Sequence, residues 1–194
     1  TGISIQQPAA EVVIRNTTIS GHSLYGVEAG FGASARIFDS TIANNGSRAL
    51  RAVHEGTGIS AKRSLFASNA GSCSSYLGGS FDMEDNLYDD ASCPLGWLSD
   101  NSVFDTPAFL SLLGDHGGPT PTHRPMINSS ALDAITGGPC SIDDSDQRVM
   151  PRAIAFERIL SESRPWPSSS ICTYTSAPFW DALSRIVPVS LFPC

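Results

Sequence analysis

The 194-residue chain is 41% hydrophobic and only 16% charged, with 17 glycines and 13 prolines, which suits one ordinary soluble globular domain and excludes a long disordered acidic tail. Charged residues fall below the roughly 25% usual in soluble domains, so the polar surface must come from Ser, Thr and Asn, and salt-bridged helical bundles are disfavoured. The net charge of −7, with Lys62 the only lysine, argues against nucleic acid, which needs clustered cations, and no apolar run reaches the roughly 18–20 residues of a membrane span.

The chain opens Thr1-Gly2-Ile3, with neither an initiator Met nor a charged-then-apolar leader, and this reads as a processed or excised end. From there the first half repeats itself. Asn16-Thr17-Thr18-Ile19 is followed by Asp39-Ser40-Thr41-Ile42, Arg63-Ser64-Leu65-Phe66 and Asp85-Asn86-Leu87-Tyr88, at offsets of 23, 24 and 22 residues. A strand-like run precedes each copy: Val12–Ile14, Ala35–Phe38, Ile59–Ala61 and Phe81–Met83. A second run lies between copies, as at Leu24–Val27 and Ala49–Val53.

Short β-rich segments with Asn/Gly/Ser turns at this period indicate an all-β solenoid, a right-handed parallel β-helix, over residues 1–94. A leucine-rich horseshoe would need Leu at several fixed positions per repeat, which these copies lack. Stacked coils should place Ile19, Ile42, Phe66 and Tyr88 in one inward column. Asn16, Asp39 and Asn45 should sit at coil corners and satisfy turn amides. Asn16, Asn45 and Asn128 also head Asn-x-Ser/Thr sequons.

From about Leu95 the repeat stops, and residues 95–157 read as a loop-rich capping block. Thr106-Pro107 before Ala108–Leu113 and Gly114 predicts a short helix, with Thr as its N-cap and Gly at its end. Gly117–His123 is too rich in Gly and Pro for regular structure and predicts an extended loop over the last coil. Further helices are predicted at Ala153–Leu160 and Pro178–Val187, the second in a tail over 158–194. Its face of Phe179, Trp180, Leu183 and Ile186 is a candidate interface, able to close the solenoid core or to dock on another subunit.

Cys73, Cys93, Cys140, Cys172 and Cys194 form no CxxC pair and have no His at zinc-finger spacing, so no metal site is expected. In Ser/Gly/Pro-rich surroundings they read as two disulfides and one leftover thiol, in an oxidising compartment.

One block resembles a known family. Leu110-x-x-Leu113-x-Asp115-His116-Gly117-Gly118-Pro119-Thr120-Pro121-Thr122-His123, then Ser130-Ala131-Leu132-Asp133-Ala134, Cys140 and Asp146-Gln147-Arg148, is similar to the C-terminal block of bacterial choice-of-anchor Q domain surface proteins. These are β-helices related to the polymorphic outer-membrane and pectin-lyase-like group. The resemblance covers residues 10–157 and departs after Ala155-Phe156-Glu157, where the family's closing cysteine is missing. In resembling proteins the cysteine before Asp-Gln-Arg pairs with that missing one, which implies that Cys140 turns to Cys172 or Cys194. The pairing expected is Cys140–Cys172. Cys73 and Cys93 flank one coil at equivalent turns of adjacent repeats and should staple those coils together, leaving Cys194 for an intermolecular bond or for modification.

Enzymatic parallel β-helices cleave acidic polysaccharides with clustered carboxylates, either around Ca²⁺ beside an Arg base or as an acid–base pair. Asp82, Glu84, Asp85, Asp89 and Asp90 are the candidates here, with Arg63 one repeat before Asp85. They run along a single coil, where alternation sends neighbours to opposite faces, so a solvated acidic coil is the preferred reading. His22 and His54 sit in turn-like sequence, while His116 and His123 lie in the Gly-Pro loop. Ser111 or Ser130 could join a histidine in a hydrolytic triad, but no Gly-x-Ser-x-Gly elbow is present. His123 is expected to fix its loop, and Asp133, Asp146 and Arg148 to lock the capping block through a buried pair. Asp143-Asp144-x-Asp146 resembles half of a Ca²⁺ loop without its Gly or distal Glu.

These readings combine into a non-catalytic secreted or cell-surface structural or adhesive protein, without cofactor, that assembles with protein partners or with copies of itself. The alternatives are a pectin-lyase-like polysaccharide lyase or hydrolase, and a glycan-binding module using Trp97, Tyr76 or Trp166.

Overall fold

The computed structural model of the chain describes residues 1–93, 101–132, 134 and 147. Residues Thr1–Ala108 form one compact unit and a second begins at Phe109.

The first unit is a parallel β-solenoid of four three-stranded coils. The first coil holds β1 (Ile3–Ile5), β2 (Glu11–Arg15) and β3 (Thr18–Ser20); the second, β4 (Val27–Gly30), β5 (Ser34–Phe38) and β6 (Thr41–Ala43). The third holds β7 (Leu50–Val53), β8 (Gly58–Lys62) and β9 (Leu65–Ala67), and the fourth β10 (Cys73–Tyr76), β11 (Ser80–Glu84) and β12 (Leu87–Tyr88). Equivalent strands stack into three parallel sheets: a first sheet β1-β4-β7-β10, a second β2-β5-β8-β11 and a third β3-β6-β9-β12. Strand alternation explains the core. In the second sheet Val12, Ala35, Ile59 and Phe81 stand in register and face inward, as do Ile14, Ile37, Ala61 and Met83.

Ile19, Ile42, Phe66 and Tyr88 form the expected column, paired in register and all buried. The rings of Phe66 and Tyr88 stack with centroids 5.0 Å apart, and Phe104 stacks on Tyr88 at 5.0 Å. The column therefore outlasts the repeat recognised in the sequence. Val103 pairs with Leu87 in parallel, and Asn101-Ser102-Val103-Phe104 takes the place of a fifth copy.

The uneven offsets have a local cause. The turn between first and second sheets occupies three residues after β4 and after β10 but four, His54–Thr57, after β7. The extra residue is Thr57, whose buried hydroxyl donates to Val53 O at 2.7 Å and accepts from Gly32 N at 2.9 Å. The turn between third and first sheets loses one residue before β10. Core register survives both changes because they fall at corners. One corner admits only glycine: a Cβ on Gly79 would lie 2.4 Å from Ala52 O.

Two expectations are corrected. The run at Leu24–Val27 becomes a strand only from Val27, and Leu24 is an exposed turn residue. No helix forms over Ala108–Leu113. Thr106 Oγ1 donates to Phe104 O at 2.7 Å instead of capping a helix, and Phe109 has a φ of 38°. Leu110 and Gly114 pair antiparallel with Pro125 and Thr122, so the backbone groups are satisfied across a loop. A six-residue helix with Leu112 left 89% exposed has too little buried face to compete with that pairing. The helices expected at 153–160 and 178–187 lie outside the described residues.

Candidate functional site

Many polar side chains of the coils bond to a neighbouring coil. At the corner between second and third sheets, Asn16, Asp39, Arg63, Asp85 and Asn101 all have positive φ, from 47° to 79°. The residue after each builds a buried ladder. Ser40 Oγ accepts from Thr17 N, Ser64 Oγ from Ser40 N, Asn86 Oδ1 from Ser64 N and Ser102 Oγ from Asn86 N, at 2.9–3.2 Å. At the next corner Asn45 Oδ1 accepts from His22 N at 3.1 Å, and Asn69 Oδ1 accepts from Asn45 N at 3.0 Å. Asn45 thus serves a turn amide as expected, while Asp39 acts by ion pairing.

Ionic side chains follow the same axial direction. Arg63 turns away from Asp85 and grips Asp39 of the preceding coil through two contacts, at 2.9 and 3.2 Å. Lys62 pairs with Glu84 at 2.5 Å and approaches Asp85 at 3.7 Å; Arg51 pairs with Glu28 at 2.9 Å. The five acidic candidates are therefore dispersed: Asp82 is exposed on the second sheet, Glu84 and Asp85 face Lys62, and Asp89 and Asp90 lie beyond β12. Among the described residues no group of His, Cys, Asp and Glu could hold a metal ion.

Asp89 and Asp90 differ in environment. Burial lifts the Asp89 carboxyl above the ordinary range, opposed by the Ser68 N–H it accepts. Burial also pushes on Asp90, but hydrogen bonds from Ser72 and Ser92 outweigh it and hold Asp90 below that range. Ser72 Oγ donates to Asp90 at 2.6 Å and Ser92 N donates to it at 2.6 Å. These serines flank Cys73 and Cys93, which form a disulfide with Cα atoms 4.8 Å apart. Both carboxylates thus bind corner amides and hydroxyls around that staple.

The outward face of the second sheet is different. Its strands present Ser34, Gly58 and Ser80 in one register column and Arg36, Ser60 and Asp82 in the next. These short side chains leave an open groove of about 270 Å³. Arg36 reaches Glu11 on the first coil, and Arg15 lies over the Phe38 ring at 4.4 Å. Leading into β5, β8 and β11 are the turns of Phe31, His54 and Leu77, all at positive φ, where bulky side chains are uncommon. Phe31 and His54 stack at 4.3 Å, and Phe31, Tyr76 and Leu77 are more than half exposed. Sequence reading singled out Tyr76, His54 and Asp82 from this region, but each for a different role. The missed signal was four runs laid in register, which bring glycine and serines together at outward positions.

In the second unit, buried His123 donates from Nδ1 to Ser111 O at 2.8 Å, which fixes its tautomer and holds the loop to the 110–114 segment. Gln147 Nε2 donates to Thr120 Oγ1 at 2.8 Å, tying that side chain to the same loop. Ser111 Oγ lies 3.1 Å from His116 Nε2 and accepts from Arg124 N at 2.8 Å. Among the described residues no carboxylate bonds the other ring nitrogen of His116, the place of the third group that orients a catalytic base. Asp133, Asp146, Arg148, Cys140, Cys172, Cys194, Phe179, Trp180, Leu183 and Ile186 lie outside the described residues, as do Trp97, Trp166, Asp143 and Asp144.

No known protein family, no curated protein and no solved structure matches the chain.

Proposed function

We propose that the chain is a non-catalytic secreted or cell-surface structural protein, of the choice-of-anchor Q kind that residues 110–148 resemble, which assembles with protein partners or with copies of itself. The observation that carries this reading is the axial use of polar groups. Corner serines, asparagines and ion pairs are spent joining coil to coil, a division of labour suited to a stiff rod. A lyase or hydrolase needs carboxylates of different coils turned toward one bond.

Placement outside the cell is supported by the Cys73–Cys93 disulfide, a bond that persists in oxidising compartments.

Light scattering of the native-purified protein over a range of concentrations, with and without reductant, tests the reading. Ordered species of higher mass are expected. Their dissolution by reductant and by Cys194→Ser would assign the contact to that thiol. A strict monomer under every condition overturns self-assembly, and release of reducing or unsaturated ends from acidic polysaccharides overturns the non-catalytic role.

A further inference from the structure

We infer that the groove on the outer face of the second sheet binds a neutral, hydroxyl-rich ligand, an uncharged oligosaccharide, between Arg36 and Asp82. This goes beyond assembly and does not depend on it.

Charge placement is the first argument. Oppositely charged side chains on neighbouring coils pair with each other elsewhere on the rod, as in Arg51–Glu28, Lys62–Glu84 and Arg63–Asp39. In the groove column Arg36 and Asp82 are separated by the coil that carries Ser60. Strands stack about 4.8 Å apart, which puts these two positions on the order of 10 Å from each other, too far for an ion pair. Glu11 takes one terminal nitrogen of Arg36, whose guanidinium has further donors. Among the described residues Asp82, Ser34 and Ser60 make no side-chain hydrogen bond, and all three lie at the groove. The site therefore offers a cation, hydroxyls and an anion in sequence over a floor of Gly58 and serine carbons.

The second argument is the ridge beside it. The Phe31–His54 stack and Leu77 stand in the turns that enter the three strands forming the groove. Four successive coils hold this corner at positive φ with non-glycine residues, Ala9, Phe31, His54 and Leu77. Two of the four, Phe31 and Leu77, are apolar and more than half exposed. An apolar ridge next to free hydroxyls and one charge of each sign fits a sugar ring, which has apolar C–H faces and an equatorial rim of hydroxyls. A polyuronate fits poorly, because Asp82 and Glu11 would meet its carboxylates.

The test is isothermal titration calorimetry of the full chain with soluble cello-, xylo-, manno- and malto-oligosaccharides, with oligogalacturonate as the acidic comparison. Binding of at least one neutral series, stronger than oligogalacturonate, is expected. Asp82→Ala should weaken it about tenfold, the loss of one hydrogen-bonding partner. Gly58→Tyr should abolish it. Gly58 has no positive φ and a Cβ there would meet only Ser80 Oγ, at 3.7 Å, so this variant fills the groove while favouring the strand. Thermal unfolding at or above the wild-type midpoint shows that it is folded. Lack of binding to all neutral series, preference for oligogalacturonate, or full binding by folded Gly58→Tyr each overturns the proposal. None of these outcomes bears on scattering mass, so the assembly reading stands or falls separately.

Discussion

Asn69 Oδ1 accepts two hydrogen bonds from Asn45, one coil earlier: from its backbone N–H at 3.0 Å and from its side-chain Nδ2 at 2.9 Å. Asn45 accepts in turn from His22 N, and Asn69 Nδ2 donates to Ile42 O at 2.9 Å. This corner thus repeats one side-chain device across three coils. Asn45 is 2% exposed, so Asn45→Ala removes an acceptor from a turn amide that water does not readily replace. A loss of about 2 kcal/mol is expected, read as a lower urea midpoint at unchanged slope. Wild-type stability in Asn45→Ala would show the ladder to be idle. The same burial closes the Asn45-Gly46-Ser47 sequon to a glycan in the folded chain, whereas Asn128 is exposed.

The ring column makes a prediction of opposite sign at adjacent levels. Tyr88 Oη is buried and has no hydrogen-bond partner among the described residues. Asn86, whose side chain lies near it, already serves Ser64 N and Ala61 O. Burial drives the phenol pKa well up, slightly offset by that neighbour. Tyr88→Phe keeps the stack with Phe66 and Phe104 and removes the stranded hydroxyl, so it should gain about 1 kcal/mol. Phe66→Ala opens a cavity in the same column and should lose about 3–5 kcal/mol. Equilibrium unfolding of the two variants checks both; a destabilised Tyr88→Phe would show that the hydroxyl is bonded.

Cys73 and Cys93 close a loop of 20 residues. A crosslink of that span restricts the unfolded chain by about 3 kcal/mol. Reduction, which leaves the side-chain atoms in place, should lower stability by that amount, and the Cys73→Ala/Cys93→Ala variant should be insensitive to reductant. Equal unfolding midpoints for the wild type with and without dithiothreitol would refute the staple.

The solenoid was legible because its core is periodic in sequence: Ile19, Ile42, Phe66 and Tyr88 announce one column, and the residues before them announce the corner. The fifth copy escaped because Asn101-Ser102-Val103-Phe104 follows its predecessor by 16 residues, outside the 22–24 of the others. The corner ladders were half legible. Asn45 was placed correctly, but Arg63 was aligned with Asp85 when its guanidinium reaches back to Asp39, and one-dimensional spacing gives no direction along the axis. The helix at Ala108–Leu113 failed for a different reason. Thr106, Pro107 and Gly114 are local signals, and pairing with Pro125 and Thr122 is a non-local competitor that local signals cannot weigh. The groove was hidden because its residues are small and unremarkable singly, and acquire meaning only when Ser34, Gly58 and Ser80 fall into register.

The two carboxylates beside the staple predict an acid limb of stability that can be divided between them. Hydrogen bonds from Ser72 and Ser92 overcome the effect of burial and lower the pKa of Asp90. Such a group stabilises the fold fully above the ordinary aspartate value near about 3.9, and that contribution is lost as pH falls through the lower folded value. Asp89 has the reverse sign, since burial raises its pKa. Its charged form is a penalty at neutral pH, relieved as pH falls through the raised value. Asp90→Asn should therefore be less stable than wild type at neutral pH and show a shallower acid limb. Asp89→Asn should be more stable at neutral pH, with its advantage closing as the pH approaches the ordinary aspartate range. Urea midpoints of both variants from about pH 2 to about pH 7 separate the two cases. If both variants shift in the same direction at neutral pH, the two carboxylates do not have opposed environments, and the polarity assigned to this corner is wrong.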